Sequence, residues 1–401
     1  MQEYKTINMP GDKSISHRIL IIAALLNYAV EIKNISKSED VKSTIRCLEQ
    51  CGIAFTIKEN HIYISKSNFV SPKKILFCGN SGTTARLLVG LLLNKGISAI
   101  ITGDNSLLNR PMNRIIEPLK LMKANIISNN GYLPINISQS DLQPIHHSIK
   151  VPSAQVKSCL ILAGHNLNSH NIVDTYKTRD HTEIMLNYFC SLKSKSNIKY
   201  NIPQDISSAA FIIALSIIKK NINIRIDNLL FNPTRSGFVD ILMKMNANIK
   251  ISNLKHIHGE LTCTLESSFS PNLKSINLDC FKNTNMIDEI PIFAVVSLFS
   301  SGETRVINAK ELRLKECDRI SAICLNLKNF GISVFERDDG FVISNKNILY
   351  DATIIHKNDH RIAMAFEILK VAVNGKLTHL YPNIINISFP DFYNVVEDCI
   401  V

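Results

Sequence analysis

The chain has no tryptophan, no C-x-x-C pair, no apolar run of membrane length and fewer acidic than basic side chains, and each shortage removes a class of function. With aromatic residues at 7% and no long Lys/Arg tract, it lacks the stacking groups and dense basic stretches of nucleic-acid binders, so that class is a remote alternative and no nucleic-acid partner is expected. The cysteines, among them Cys47, Cys51, Cys78, Cys159, Cys317 and Cys324, are scattered without matching histidines. They read as reduced thiols, mostly small core residues. His256 and His258 would make half a metal site, yet no further ligands stand near them, and no metal is expected. The strongest apolar runs, Ile19 to Leu26 and Ile290 to Phe299, fall far short of the roughly 18–20 residues that cross a bilayer, so no membrane partner is expected. The opening MQEYKTINMP has neither an apolar signal core nor a transit pattern, which predicts a cytoplasmic protein.

Nucleotide fingerprints are missing too. Gly11-Asp12-Lys13-Ser14 looks like the end of a Walker A loop but lacks the upstream glycine and the glycine before lysine. No G-x-G-x-x-G follows a predicted strand, so neither ATP nor NAD is implied.

What is present is a globular chain of 401 residues, long enough for two domains or one large one, with 45% hydrophobic residues and 45 Lys+Arg against 34 Asp+Glu. The resulting charge of +11 admits nucleic acid, an anionic membrane surface or small acidic substrates. A repeat is visible. Four segments end a helical pattern, pass through a Gly or Ala-Asn step and then alternate as a strand does, with the first isoleucine after the break at Ile53, Ile126, Ile249 and Ile332. The middle interval is about twice the others, and the weaker stretch from Glu183 would supply the missing copy. Five or six units of mixed helix and strand, about 60–80 residues each, are predicted.

A second regularity concerns helix starts. DKSISHR, GNSGTTAR, PSAQVKS, QDISSAA and NDHRIAMA precede apolar helical runs, and their Ser, Asp and Gly residues are cap formers. Several carry cations such as Lys13, Arg18, Arg86 and Arg361, where positive charge opposes the helix dipole. Residues set against local preference point to anion binding.

The motifs become specific when read in order. GDKSISHR from Gly11, GNSGTTAR from Gly79, the Arg110-Pro111-Met112 loop, PSAQVKS from Pro152, RDHTE from Arg179, NPTR from Asn232, MIDEIP from Met286, ELRLKECDR from Glu311, DHRIAM from Asp359 and SFPDF from Ser388 resemble the 5-enolpyruvylshikimate-3-phosphate synthase family. The likeness runs from Gly11 to Phe392. It implies an α/β (α+β) fold, a two-domain inside-out α/β barrel of six βαβαββ units, three per domain, with helices inside and sheets outside. The domains are expected at 12–200 and at 1–11 with 201–401, with the active site in the cleft between them. The implied reaction moves the enolpyruvyl group of phosphoenolpyruvate to the 5-hydroxyl of shikimate 3-phosphate and releases phosphate, in a monomer without metal or organic cofactor. The sister transferase acting on UDP-N-acetylglucosamine is the nearer alternative; its mobile-loop cysteine is absent from Thr102 to Arg114.

The resemblance also implies residue roles. Lys13 contacts both substrates; Ser14, Arg18, Ser153, Ala154, Gln155, Arg179, Asp288 and Lys315 bind shikimate 3-phosphate. Lys13, Gly82, Arg110, Gln155, Arg319 and Arg361 bind phosphoenolpyruvate. Asp288 is the expected general base, Glu316 the proton-transfer group at the methylene carbon, and Lys13 a third catalytic residue. Read from the residues alone, Asp288 is as well explained as a cap of the helix near Ile290, and Glu316 with Arg319 as a surface i,i+3 pair. Two departures stand out: Gln204 occupies the glycine place of a P-G-D turn, and Ile387 stands where another branch has a lysine.

Overall fold

The computed structural model describes residues 3–58, 61–194, 197–345, 352–374 and 376–400; the expected domain ends at Met1 and Val401 lie outside them. The chain divides into a contiguous unit, Gly11–Ile202, and a split unit made of the chain up to Pro10 and from Pro203 onward. The passage at Gly11 requires glycine, because a Cβ there would lie 1.6 Å from the Asn34 carbonyl oxygen.

Each unit is built around three buried helices. In the contiguous unit these are α1 (Lys13–Leu26), α2 (Gly82–Asn94) and α3 (Ala154–Ala163); in the split unit they are α4 (Ile206–Ile218), α5 (Ile290–Ser297) and α6 (His360–Asn374). Their sequences are apolar on nearly every face, and a helix of that kind is stable in water only when surrounded. Every residue of α4 and α5 is buried. The outer helix Glu39–Gln50 is amphipathic instead, burying Val41, Ile45 and Leu48 on one side.

Four-stranded sheets cover these helices, and all share one order. A parallel edge strand joins the strand that follows a core helix, which pairs antiparallel with the second arm of a hairpin and then the first. In the contiguous unit the sheets run Ile198–Asn201, Val30–Lys33, His61–Ile64, Phe55–Lys58 and Leu76–Phe77, Ala99–Thr102, Tyr132–Ser138, Asn125–Asn129. In the split unit they run Lys5–Thr6, Ile224–Leu230, Glu260–Ser268, Asn248–Ile257 and Asn277–Asp279, Thr304–Ile307, Gly340–Asn345, Ser333–Arg337. Tyr132–Ser138 shows why: Leu133, Ile135 and Ile137 alternate inward while their neighbours face solvent.

Two edge strands are exchanged. Lys5–Thr6 precedes α1 yet pairs with the strand after α4, and Ile198–Asn201 precedes α4 yet pairs with the strand after α1.

The four helix-to-strand joints expected at Ile53, Ile126, Ile249 and Ile332 all form, and each strand continues into a hairpin. The fifth, from Glu183, also forms a helix-to-strand step, but among the described residues its strand is not followed by a second one of a hairpin. Helix His181–Ser191 leads to the single strand Ile198–Asn201, which joins the first sheet in parallel, and Pro203 then begins the split unit. Among the described residues, the strands around α3 are the two-stranded parallel pair His146–Ser148 and Asn171–Val173. Gln204 needs no glycine geometry. It is absent from the positive-φ residues, and it stitches the split unit together by accepting from the Met9 amide at 2.5 Å and donating to the Asp227 carbonyl at 2.6 Å.

Candidate active site

The polar clusters are the caps and first turns of the core helices. Asp12 caps α1 through the Ile15 amide, Ser81 caps α2 through Thr84, Ser153 caps α3 through Val156 and Asp205 caps α4 through Ser207 and Ser208. Asp359 accepts from the Arg361 and Ile362 amides at the start of α6. None of α1 to α6 has an acidic residue in its first turn, whereas the outer helix Glu39–Gln50 has two. The positive ends of α2 and α3, capped by the neutral Ser81 and Ser153, carry no nearby carboxylate of cap or first turn, which favours an incoming anion.

In the contiguous unit, the candidate residues gather in two linked groups. Arg179 donates from Nη1 to Ser14 Oγ at 3.3 Å, and Arg18 donates to the Ser14 carbonyl at 3.0 Å, to Thr182 Oγ1 at 2.9 Å and to Ser158 Oγ at 2.9 Å. Arg18 is only 2% exposed. These contacts bring Ser14, Arg18 and Arg179 together from α1 and the start of helix His181–Ser191. Lys13, on the same first turn, meets Asp40 Oδ2 at 2.8 Å.

The second group surrounds Gly82. Arg86 donates from Nη1 to Gln155 Oε1 at 2.7 Å and from Nη2 to the Pro111 carbonyl at 3.1 Å; Gln155 Nε2 donates to Thr83 Oγ1 at 2.9 Å. A Cβ on Gly82 would lie 2.7 Å from Arg86 Nη1 and 3.5 Å from Arg110 Nη1, so glycine leaves a backbone-lined space beneath two guanidinium groups. Arg110 is held by Asn80 Oδ1 at 2.6 Å and Ser106 Oγ at 3.2 Å. Ser153 and Ala154 sit at the cap and first residue of α3, beside Gln155.

In the split unit, Asp288 is a hub. Its Oδ1 lies 3.4 Å from both Lys315 Nζ and Arg319 Nη1, its Oδ2 lies 3.7 Å from Arg361 Nη2, and its carbonyl accepts from Arg361 Nη1 at 3.1 Å. Asp288 occupies the 3-10 turn Thr284–Glu289, and the N-cap of α5 is Glu289, without a side-chain cap bond. The carboxylate thus turns to cations, and the capping explanation is replaced.

Glu316 and Arg319 are likewise no surface pair. Arg319 Nη2 meets Glu316 Oε2 at 2.6 Å and Nε meets Asp359 Oδ2 at 2.7 Å, with the arginine side chain 1% exposed. Burial disfavours the arginine's charge, but Asp359, Glu316 and Asp288 outweigh it and hold the guanidinium above its ordinary pKa. Cys317 beside them is inert, its thiol pushed up to about 12 by burial and then by Asp359.

Sequence reasoning missed several partners. Asp40 and Asp359 balance Lys13 and Arg319, and the link from Arg86, itself singled out as a helix-start cation, to Gln155 is a tertiary contact. Asp359 stood inside a quoted motif directly before an apolar run, a cap signal; the Asp40 to Lys13 pairing has no local signature.

A model of the family described as EPSP synthase (3-phosphoshikimate 1-carboxyvinyltransferase) matches residues 4–396. Curated relatives named 3-phosphoshikimate 1-carboxyvinyltransferase include one from Caldicellulosiruptor bescii, 39% identical across 97% of this chain and 95% of the relative. Another, from Petrotoga mobilis, is 38% identical across 98% of this chain and 96% of its own length. Among solved structures, EPSP synthase from Acinetobacter baumannii matches with a TM-score of 0.83 at 30% identity, covering 100% of this chain and 97% of that one. The enolpyruvyl transferase NikO from Streptomyces tendae matches in fold, with a TM-score of 0.75 at 13% identity over 100% of this chain and 94% of that one.

Proposed function

The chain belongs to the EPSP synthase family, and from that premise we propose how its two sets of residues divide the work of the family reaction. The chain transfers the 1-carboxyvinyl group of phosphoenolpyruvate to shikimate 3-phosphate, in the shikimate route to aromatic amino acids. Membership also carries the expected α/β fold class.

Two anionic substrates repel each other, and a dense set of positioned cations offsets that cost. Ser14, Arg18 and Arg179 take the phosphate of shikimate 3-phosphate, with Ser153, Ala154 and Gln155 on its ring side and Lys315 as a further cation. Arg110, Arg319 and Arg361 clamp the phosphate and carboxylate of phosphoenolpyruvate, Gly82 lets backbone approach it, and Lys13 reaches both substrates. Asp288 accepts the proton of the 5-hydroxyl as that oxygen bonds to C2 of phosphoenolpyruvate. Glu316 delivers a proton to the C3 methylene, giving a tetrahedral adduct. Loss of a C3 proton and cleavage of the C2–O bond to phosphate then yield the enol ether and inorganic phosphate. Lys13, Lys315 and the arginines stabilise the charge that moves through the adduct. A cytoplasmic monomer completes the reading.

The observation that carries it is Asp288 ringed by Lys315, Arg319 and Arg361. Substrate anions that engage Lys315 and Arg361 free the carboxylate oxygens for the hydroxyl proton. The test is phosphate release from phosphoenolpyruvate with shikimate 3-phosphate, run beside UDP-N-acetylglucosamine as control acceptor. Release is expected only with the first, and Asp288→Ala lowers kcat by about 10²–10⁴ in a folded protein. Turnover unchanged in the variant would remove Asp288 from the chemistry, and release with the UDP-sugar alone would remove the substrate assignment.

A further inference from the structure

Lys157 lies on α3, two residues beyond Gln155, and its side chain is 6% exposed. A buried ammonium costs several kcal/mol unless its protons are all placed. Here they are: Nζ meets Glu183 Oε1 at 2.8 Å and Asp174 Oδ2 at 3.1 Å, and it donates to the Thr178 carbonyl at 3.1 Å.

Asp174 in turn winds its own loop. Its Oδ1 accepts from the Tyr176 amide at 3.0 Å, and its Oδ2 accepts from the Thr178 amide at 2.9 Å and the Thr178 hydroxyl at 2.6 Å. Burial alone would raise this carboxyl's pKa; the hydrogen bonds of Thr178 and Lys157 overcome that and hold it below the ordinary range. The three Lys157 partners bracket Arg179, with Asp174 and Thr178 before it and Glu183 after it. The next helix residue, Ser158, bonds to both Thr182 and Arg18. One turn of α3 thus holds the segment that presents Arg179 and the side chain of Arg18.

Apolar packing would hold a mere linker at least as stably as a buried ion pair. What the ion pairs add is a fixed geometry around one arginine. We propose that Lys157 is a positioning residue for shikimate 3-phosphate, acting through Asp174, Thr178 and Glu183 to fix Arg179 against the substrate phosphate. The proposal rests on the assignment of Arg179 to that phosphate.

Steady-state kinetics on the full chain test it, with Lys157→Met, Arg179→Ala and the double variant. Each single change is expected to raise KM for shikimate 3-phosphate about tenfold, leaving KM for phosphoenolpyruvate within about twofold, and the double variant is no worse than Arg179→Ala. A purely structural role for Lys157 would not give this split or this non-additivity. If Lys157→Met fails to fold, Glu183→Gln takes its place, with the same pattern and a rise of about threefold. Effects that multiply in the double variant, or a silent Lys157→Met beside an impaired Arg179→Ala, overturn the role of Lys157 and leave Arg179 standing. An unchanged KM in Arg179→Ala overturns the phosphate assignment itself, and the positioning role with it.

Discussion

Mild acid should loosen the contiguous unit through one buried ring. His17 on α1 is wholly buried, with Nδ1 2.7 Å from Thr44 Oγ1; Thr44 is 2.7 Å from Thr84 Oγ1, and Thr84 is 2.7 Å from the capping hydroxyl of Ser81. Burial drives the imidazole pKa well below its ordinary value, Lys13 and Arg18 push the same way, and Asp12 opposes them. The folded ring therefore stays neutral while an unfolded chain takes up a proton below about pH 6.5. Because the unfolded state binds more protons there, stability present above that pH is lost as pH falls, by about 1.4 kcal/mol per unit until the folded-state pKa is reached. Between about pH 7.5 and 5.5 the integrated loss from His17 is roughly 1.4 kcal/mol. His17→Asn keeps an amide near the Nδ1 position and removes the titration. Urea unfolding, followed by amide exchange within α1, should show the original chain losing that much more than the variant over this interval. His147, His165 and His170, also lowered by burial, titrate in both proteins and cancel. Equal losses in the two proteins would refute the argument.

Two further outcomes follow from the same geometry. Arg319→Ala leaves Asp359, which is fully buried, without its guanidinium, and should cost the split unit about 3–5 kcal/mol by calorimetry or denaturant; a change below about 1 kcal/mol would show that Asp359 is satisfied otherwise. Gly82→Ala places a methyl 2.7 Å from Arg86 Nη1 and displaces the group that holds Gln155, a charged hydrogen bond worth about 1.5–3 kcal/mol. KM for phosphoenolpyruvate should rise about ten- to hundredfold with folding intact, and an unchanged KM would deny the Arg86 link.

The core helices and their anion-facing starts were legible because the signals are local: Ser, Asp and Gly before apolar runs, with cations where dipoles disfavour them. The helix-to-strand joints at Ile53, Ile126, Ile249 and Ile332 were legible for the same reason. The joint from Glu183 was legible as a step, but a helix-to-strand sequence does not report how many strands follow it. The strand exchange was illegible, since Lys5–Thr6 is too short to alternate and the alternation of Ile198–Asn201 marks its buried face and not its partner strand. Asp288 shows the limit at the site. Its capping and catalytic explanations predict the same local sequence, and only the distant Lys315, Arg319 and Arg361 separate them. The pairing of Lys157 with Asp174 and Glu183 is of the same kind, made by tertiary contact between residues with no shared periodicity.

The exchanged edge strands bear on the order in which the protein is made. Lys5–Thr6 is synthesised before any of its sheet, and its partner strand begins only at Ile224. At roughly 5–20 residues per second, the ribosome reaches that partner some 10–40 s later. The contiguous unit, which contains its own edge strand Ile198–Asn201, is complete first and can fold with the opening residues still loose. A strand made ahead of the contiguous unit must thus wait for a partner made after it.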